Sequence, residues 1–141
     1  MKISARNQLA GTVSSVKEGA VNGVVAIDLG SATVKADITM EAIKELGLAE
    51  GVDAVAIIKA SNVMFATGTE RIGSISARNQ LAGTVVSVKK GAVNGHVAIE
   101  TADGFRISGS ITNEAIDDLG LAEGSKALAV VKSTDVIVGV E

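Results

Sequence analysis

Leu9, Gly11 and Val13 alternate with Gln8, Ala10 and Thr12, the two-residue period of a strand with one face buried. Val25, Ile27 and Leu29 alternate with Ala26 and Asp28 after the Asn22-Gly23 turn, which predicts a second strand entered through a hairpin. A third follows, with Val34, Ala36 and Ile38 set against Lys35 and Asp37. The period then changes. Thr39-Met-Glu-Ala-Ile-Lys-Glu-Leu-Gly47 offers a capping threonine, an acidic first turn, apolar Ile43 and Leu46 three apart and a closing glycine, the signature of a two-turn helix. Ala54-Val-Ala-Ile-Ile-Lys59 is apolar on both faces and reads as a strand buried on both sides. A last short strand is expected near Val63 to Ala66.

The same order runs twice. Ile3-Ser-Ala-Arg-Asn-Gln-Leu-Ala-Gly-Thr-Val13 recurs unchanged from Ile75 to Val85, and Gly19-Ala-Val-Asn-Gly23 recurs from Gly91 to Gly95. After one inserted residue near Asp103-Gly104 the register resumes. Phe105, Ile107, Gly109 and Ile111 then take the third strand, Thr112 to Gly120 the helix, Leu119 to Gly124 matches Leu46 to Gly51, and Val136 to Val140 the last strand. The expected units are residues 1–68 and 73–141, joined by a short linker. Three strands, a helix and two strands form the order of a small Greek-key barrel of the OB type. The fold class expected is therefore mostly β: two tandem OB-like five-stranded Greek-key barrels, each with one short helix. Units of this size are marginal alone, so burial between chains is expected as well.

Composition narrows the chemistry. Hydrophobic residues make up 47% of the chain but aromatics only 1%, Phe65 and Phe105, so the core is aliphatic. An OB barrel reading single-stranded nucleic acid is the principal alternative, but it uses aromatic platforms in a basic groove. Here the net charge is −3 and both phenylalanines fall on strands facing a core, so no nucleic-acid partner is expected. The absence of cysteine and the single histidine, His96, exclude thiol chemistry and a histidine metal cluster. No apolar run approaches the ~20 residues of a membrane helix, and the N-terminus lacks a signal-peptide pattern, so a cytoplasmic protein with no membrane partner is expected. Carboxylates are plentiful, but no paired acid and base or nucleophile–histidine set emerges, and no enzyme is expected.

Three features stand apart from a purely structural reading. Ser4-Ala-Arg6-Asn7, repeated as Ser76-Ala-Arg78-Asn79, sets a hydroxyl and a guanidinium on one side of an extended segment. Lys59 and Lys132 each end an apolar strand, where a lysine either reaches solvent or meets an anion. Thr39 and Thr112 open helices whose first amides lack internal partners, those of Ala42 and Ala115 among them. Each copy thus assembles hydrogen-bond donors with two positive charges and no carboxylate. Such a set suits a dianion that carries no proton, such as molybdate, tungstate or sulfate, and disfavours monohydrogen phosphate, which needs an acceptor.

These motifs, with Gly-Ala-Val-Asn-Gly, Ile-Thr-x-Glu-Ala and Leu-Gly-Leu-Ala-Glu-Gly, resemble the molbindins, or Mop domains, in their tandem form, over nearly the whole chain. The resemblance implies OB-like modules in a homotrimer that binds molybdate, with tungstate also accommodated. It implies one class of site from Ser4, Arg6 and Lys59 with Thr39 and Ala42, and likewise from Ser76, Arg78 and Lys132 with Thr112 and Ala115, the threonine and amide coming from another module. It implies a second class near a threefold axis, assigned to Gly19, Ala20, Val21 and Asn22 and to Gly91, Ala92, Val93 and Asn94. Between copies Glu18 becomes Lys90, Val24 becomes His96 and Met40 becomes Asn113, so the two axial sites are expected to be unequal. Related modules occur fused to a DNA-binding domain or a transporter ATPase. With neither attached, storage or buffering of molybdate is expected; an adaptor module whose donors serve only the oligomer interface is the remaining alternative.

Overall fold

In the computed structural model, which describes residues 1–141, the first copy forms strands β1 (Asn7–Glu18), β2 (Asn22–Asp28) and β3 (Thr33–Thr39), helix α1 (Met40–Glu45), and strands β4 (Asp53–Ile58) and β5 (Met64–Thr67). The second copy follows with β6 (Asn79–Lys90), β7 (Asn94–Glu100), β8 (Arg106–Thr112), α2 (Asn113–Leu119), β9 (Lys126–Val131) and β10 (Ile137–Gly139). A one-turn 3-10 segment, Ala60–Asn62 or Ser133–Asp135, precedes the last strand of each copy. The expected order of elements is present in both copies.

β1 is longer than the alternation from Leu9 to Val13 indicates. It continues to Glu18 through a bulge between Val13 and Ser15, which keeps Val13 opposite Ile27 and moves Ser15 opposite Ala26. A bulge at the matching place, between Val85 and Ser87, bends β6. An extra residue of this kind bends and twists a strand, and here it breaks the period-two pattern beyond the point where it can be followed in sequence. The helices are short and capped as expected: Thr39 and Thr112 share φ −68° and ψ 148°, and each hydroxyl accepts the amide three residues on.

The repeat boundary is not a boundary between sheets. The two five-stranded sheets have the orders β10-β4-β1-β2-β3 and β5-β9-β6-β7-β8. Units 1–68 and 73–141 therefore do not each close a sheet of their own, because each lends its last strand to the other. β5 lies antiparallel to β9, with Phe65 opposite Ala129, and β10 lies against β4, with Val138 opposite Ala56. The physical reason is the 3-10 turn after each strand-ending lysine, which carries the chain off its own sheet and onto the opposite one. The exchange covers the free edges of β4 and β9 and leaves β4 and β9 between neighbours on both sides, consistent with their apolar sequences. A single cluster of 27 buried hydrophobic residues draws on both copies.

Two side chains fasten the copies together at their pseudo-twofold contact. Asn7, fully buried, donates from Nδ2 to the Ile58 carbonyl at 3.1 Å and the Ser108 carbonyl at 2.8 Å, and its Oδ1 accepts from the Ser108 amide at 2.7 Å. Asn79 does the same to Lys35, donating at 2.8 Å and accepting at 2.7 Å. Elsewhere the packing departs from symmetry. Phe65 on the exchanged β5 fills the space above Gly109, where a Cβ would stand 2.4 Å from its ring, while the equivalent positions in the other sheet hold Val138 and Ala36.

Candidate oxyanion site

The pairing of β1 with β4 runs from Thr12 opposite Asp53 to Asn7 opposite Ile58. Continued by one pair, that register sets Arg6 across from Lys59. The same continuation from Asn79 opposite Val131 sets Arg78 across from Lys132. Two like charges are thus brought face to face at one end of each sheet, at the mouth of the chain crossing. Ser4, Arg6, Lys59, Ser61 and Ser110 share the wall of an open cavity of about 420 Å³. The ion pairs of the molecule are Met1 with Glu141 and Lys90 with Asp117, so neither cation of either pair is neutralised by a carboxylate. Both lysines hold the same backbone conformation, φ −68° and ψ 139°, as the chain turns away. Arg6 is steadied by its own segment, its Nε donating to the Ser4 carbonyl at 3.2 Å.

The structure brings Ser4, Arg6 and Lys59 together and does not bring Thr39 and Ala42 to them within one chain. Thr39 and Ala42 line a separate hollow of about 320 Å³ with Thr134, Val136 and Ile137. The segment Ser133–Asp135 packs against β3, whereas Ala60–Asn62 packs against β8. The strand approaching Lys59 is therefore the one that ends at Thr112, and the strand beside Lys132 ends at Thr39. This crossing over follows from the strand exchange.

The helix amides are not free donors, contrary to expectation. The Ala42 and Ala115 amides each donate to the hydroxyl of the capping threonine at 3.1 Å. A hydroxyl that accepts in this way keeps its own proton, so what each cap offers outward is the threonine O–H.

The turns from Gly19 to Asn22 and from Gly91 to Asn94 lie at the surface, with Val21 and Val93 among the most exposed apolar residues, 74% and 72% accessible. Val21 and Val93 accept the first amide of the neighbouring helix, from Met40 and Asn113, each at 2.8 Å. The turns differ in their surroundings. In the first, Asn22 donates to Asp37 at 3.0 Å; in the second, Lys90 pairs with Asp117, and Asn113 donates to the Gly91 carbonyl at 2.9 Å.

Sequence reasoning passed over Asn7 and Asn79 as part of a motif and gave them no role. The signal was present, because Asn7 falls in phase with Leu9 and Val13 on the buried face, where an amide needs a partner. Ser110 also escaped notice, since its place in the cavity depends on the approach of a strand from the other copy.

The TOBE domain model matches residues 3–65 and 75–138. The chain belongs to the TOBE-domain family. The two matches coincide with the two sequence copies, so each TOBE repeat spans a strand that is structurally lent to its neighbour. The chain is 42% identical over 142 residues to the molybdenum transport protein ModE of Herbaspirillum seropedicae, covering 100% of this chain and 52% of that protein. It is 52% identical over 65 residues to molybdenum-pterin-binding protein 3 of Clostridium pasteurianum, covering 46% of this chain and 96% of that one. The chain thus spans about half the length of the long curated relatives and about two lengths of the short ones. Among solved structures, the cytoplasmic molybdate-binding protein ModG with molybdate bound superposes with a TM-score of 0.95 at 45% identity, covering 100% of both chains.

Proposed function

We propose that this tandem TOBE protein binds molybdate, and tungstate of the same shape and charge, for storage or buffering in the cytoplasm. The observation that carries the reading is the pair of unneutralised cations set opposite each other by the strand register, Arg6 with Lys59 and Arg78 with Lys132, the first pair sharing a cavity with Ser4. A tetrahedral dianion supplies the two negative charges such a pair lacks. Its four oxygens accept hydrogen bonds from the guanidinium, ammonium and hydroxyl groups, which have protons to give and need none. The likeness to molybdate-bound ModG over the full chain supports the same reading. The role is one of binding; no residue of the site is assigned a catalytic step.

The site residues are Ser4, Arg6 and Lys59, and Ser76, Arg78 and Lys132. Thr39 with Ala42 and Thr112 with Ala115 close the sites by offering the threonine hydroxyl, the amide acting through the cap. The turns Gly19–Asn22 and Gly91–Asn94 serve a second class of site, formed where equivalent turns of three chains meet in a homotrimer. The exposed Val21 and Val93 at their tips suit burial in such a contact.

Equilibrium dialysis against molybdate at neutral pH, with phosphate as competitor, tests the reading. Molybdate and tungstate are expected to be retained in the presence of a large excess of phosphate. Displacement by phosphate at comparable concentration contradicts a site built from donors.

A further inference from the structure

We infer that the two Ser–Arg–Lys sites of the chain are unequal, and that Ser110 and Asp37, which occupy the same place in the two copies, set the difference: the Ser4–Arg6–Lys59 site holds a tetrahedral dianion more tightly than the Ser76–Arg78–Lys132 site. The inference rests on the oxyanion reading above and concerns which of its sites fills first.

Ser110 lines the cavity that contains Ser4, Arg6 and Lys59. It comes from β8, and the strand exchange brings β8 there. The copies are related by pseudo-twofold symmetry, evident in the reciprocal strands, the paired asparagine clasps and the matching backbone angles of Lys59 and Lys132. Under that symmetry the residue at the Ser76–Arg78–Lys132 site is Asp37. Two observations independent of the symmetry agree with that placement: the segment after Lys132 packs on β3, and Asp37 shares a hollow with Thr134, two residues beyond Lys132. Asp37 and Thr39 are also two apart on one strand, so they project from the same face. A carboxylate therefore stands beside one cation pair where a hydroxyl stands beside the other.

The neighbouring strand reinforces the contrast. His96 lies opposite Ser110 and Lys89 opposite His96, whereas Val24 lies opposite Asp37 and Lys17 opposite Val24. The row that starts at Ser110 thus carries a hydroxyl, an imidazole and an ammonium on β8, β7 and β6. The row that starts at Asp37 carries a carboxylate, an isopropyl group and an ammonium on β3, β2 and β1. Asp37 receives one hydrogen bond, from Asn22, and has no cationic partner that would cancel its charge.

A single negative charge about 6 Å from a dianion at a site open to solvent weakens binding by about tenfold in a water-like dielectric. Calorimetric titration of the full chain with sodium molybdate measures this, each site being isolated by disabling the other. Arg6→Ala leaves the Asp37 site and Arg78→Ala leaves the Ser110 site. The Arg6→Ala protein is expected to bind about tenfold more weakly at its remaining Ser–Arg–Lys site. Adding Asp37→Asn, which preserves shape, or Asp37→Ser, which reproduces the other copy, should bring the two affinities together. Adding Ser110→Asp to Arg78→Ala should weaken the tighter site. The gap should narrow at about 1 M salt, where charges more than about 3 Å apart are screened; a purely structural effect of Asp37 would not respond to salt. Equal affinities in the two single variants, or no gain from either Asp37 substitution, would overturn the inference while leaving the oxyanion reading intact. Failure of the unaltered protein to bind molybdate at all would overturn both.

Discussion

Arg6 and Asn7 are adjacent and do opposite things with the same strand end. Arg6 points out toward Lys59 with no carboxylate to balance it; Asn7 points in, fully buried, and satisfies the backbone of another copy. Their separate costs are measurable. Arg6→Ala removes charge-assisted bonds of about 1.5–3 kcal/mol each, so molybdate affinity should fall about ten- to hundredfold. Lys59→Ala should cost a similar amount, and calorimetry on the double variant should show less loss than the sum, because both act on one anion. Asn7→Ala instead strands the part-buried amide and carbonyl of Ser108, and should lower stability by about 1–3 kcal/mol in urea melts. The motif in sequence revealed the outward half of this arrangement. The inward half was visible only as a polar residue in the apolar phase, and its partner could not be found, because it lies on a distant strand. A third residue effect concerns pH. The Ser31 hydroxyl and amide both donate to Asp103 and hold its carboxyl below the ordinary 3.8. Because the folded form has the lower pKa, the contribution is present above the ordinary value and lost as pH falls through the lowered one. An NMR titration should find Asp103 ionising below 3.8, and Ser31→Ala should move it back upward.

At the scale of elements, the order of strands and helices was readable from alternation, capping and turns, and the partner of the last strand was not. β5 and β10 follow sequences of the same apolar pattern, and either could complete either sheet by pattern alone. Side-chain fit distinguishes them. Phe65 needs Gly109 beneath it, and the opposite sheet offers Ala36 at the corresponding position. Gly109→Ala would place a methyl group 2.4 Å from the Phe65 ring and should cost about 1–3 kcal/mol. Phe65→Val in that background should recover part of the loss, since it recreates the Ala36–Val138 combination of the other sheet. Thermal melts of the two single variants and the double variant form the cycle that checks it. The bulges after Val13 and Val85 escaped sequence reading for a related reason, since one extra residue shifts the alternation and the apolar positions beyond it fall out of step.

On the scale of the whole molecule, duplication predicted two neighbouring five-stranded units; both are present, and the strand exchange joins them through one core of 27 residues. The pattern in one copy contains no information about where its fifth strand goes. A chain cut to residues 1–68 should therefore have no folded monomeric form, and sedimentation should find it unfolded or associated with a second half-chain. The homotrimer we propose for the intact protein predicts a sedimenting mass of about three times 14.2 kDa. The central claim, however, is that the facing arginine and lysine pairs hold the anion. Calorimetric titration of the Arg6→Ala, Arg78→Ala double variant with molybdate, alongside the unaltered protein, tests it most directly, with melts to show that both are folded. The account predicts that binding at the Ser–Arg–Lys sites is lost, leaving at most the stoichiometry of the axial turns. Full stoichiometry at unchanged affinity in the folded double variant would contradict it.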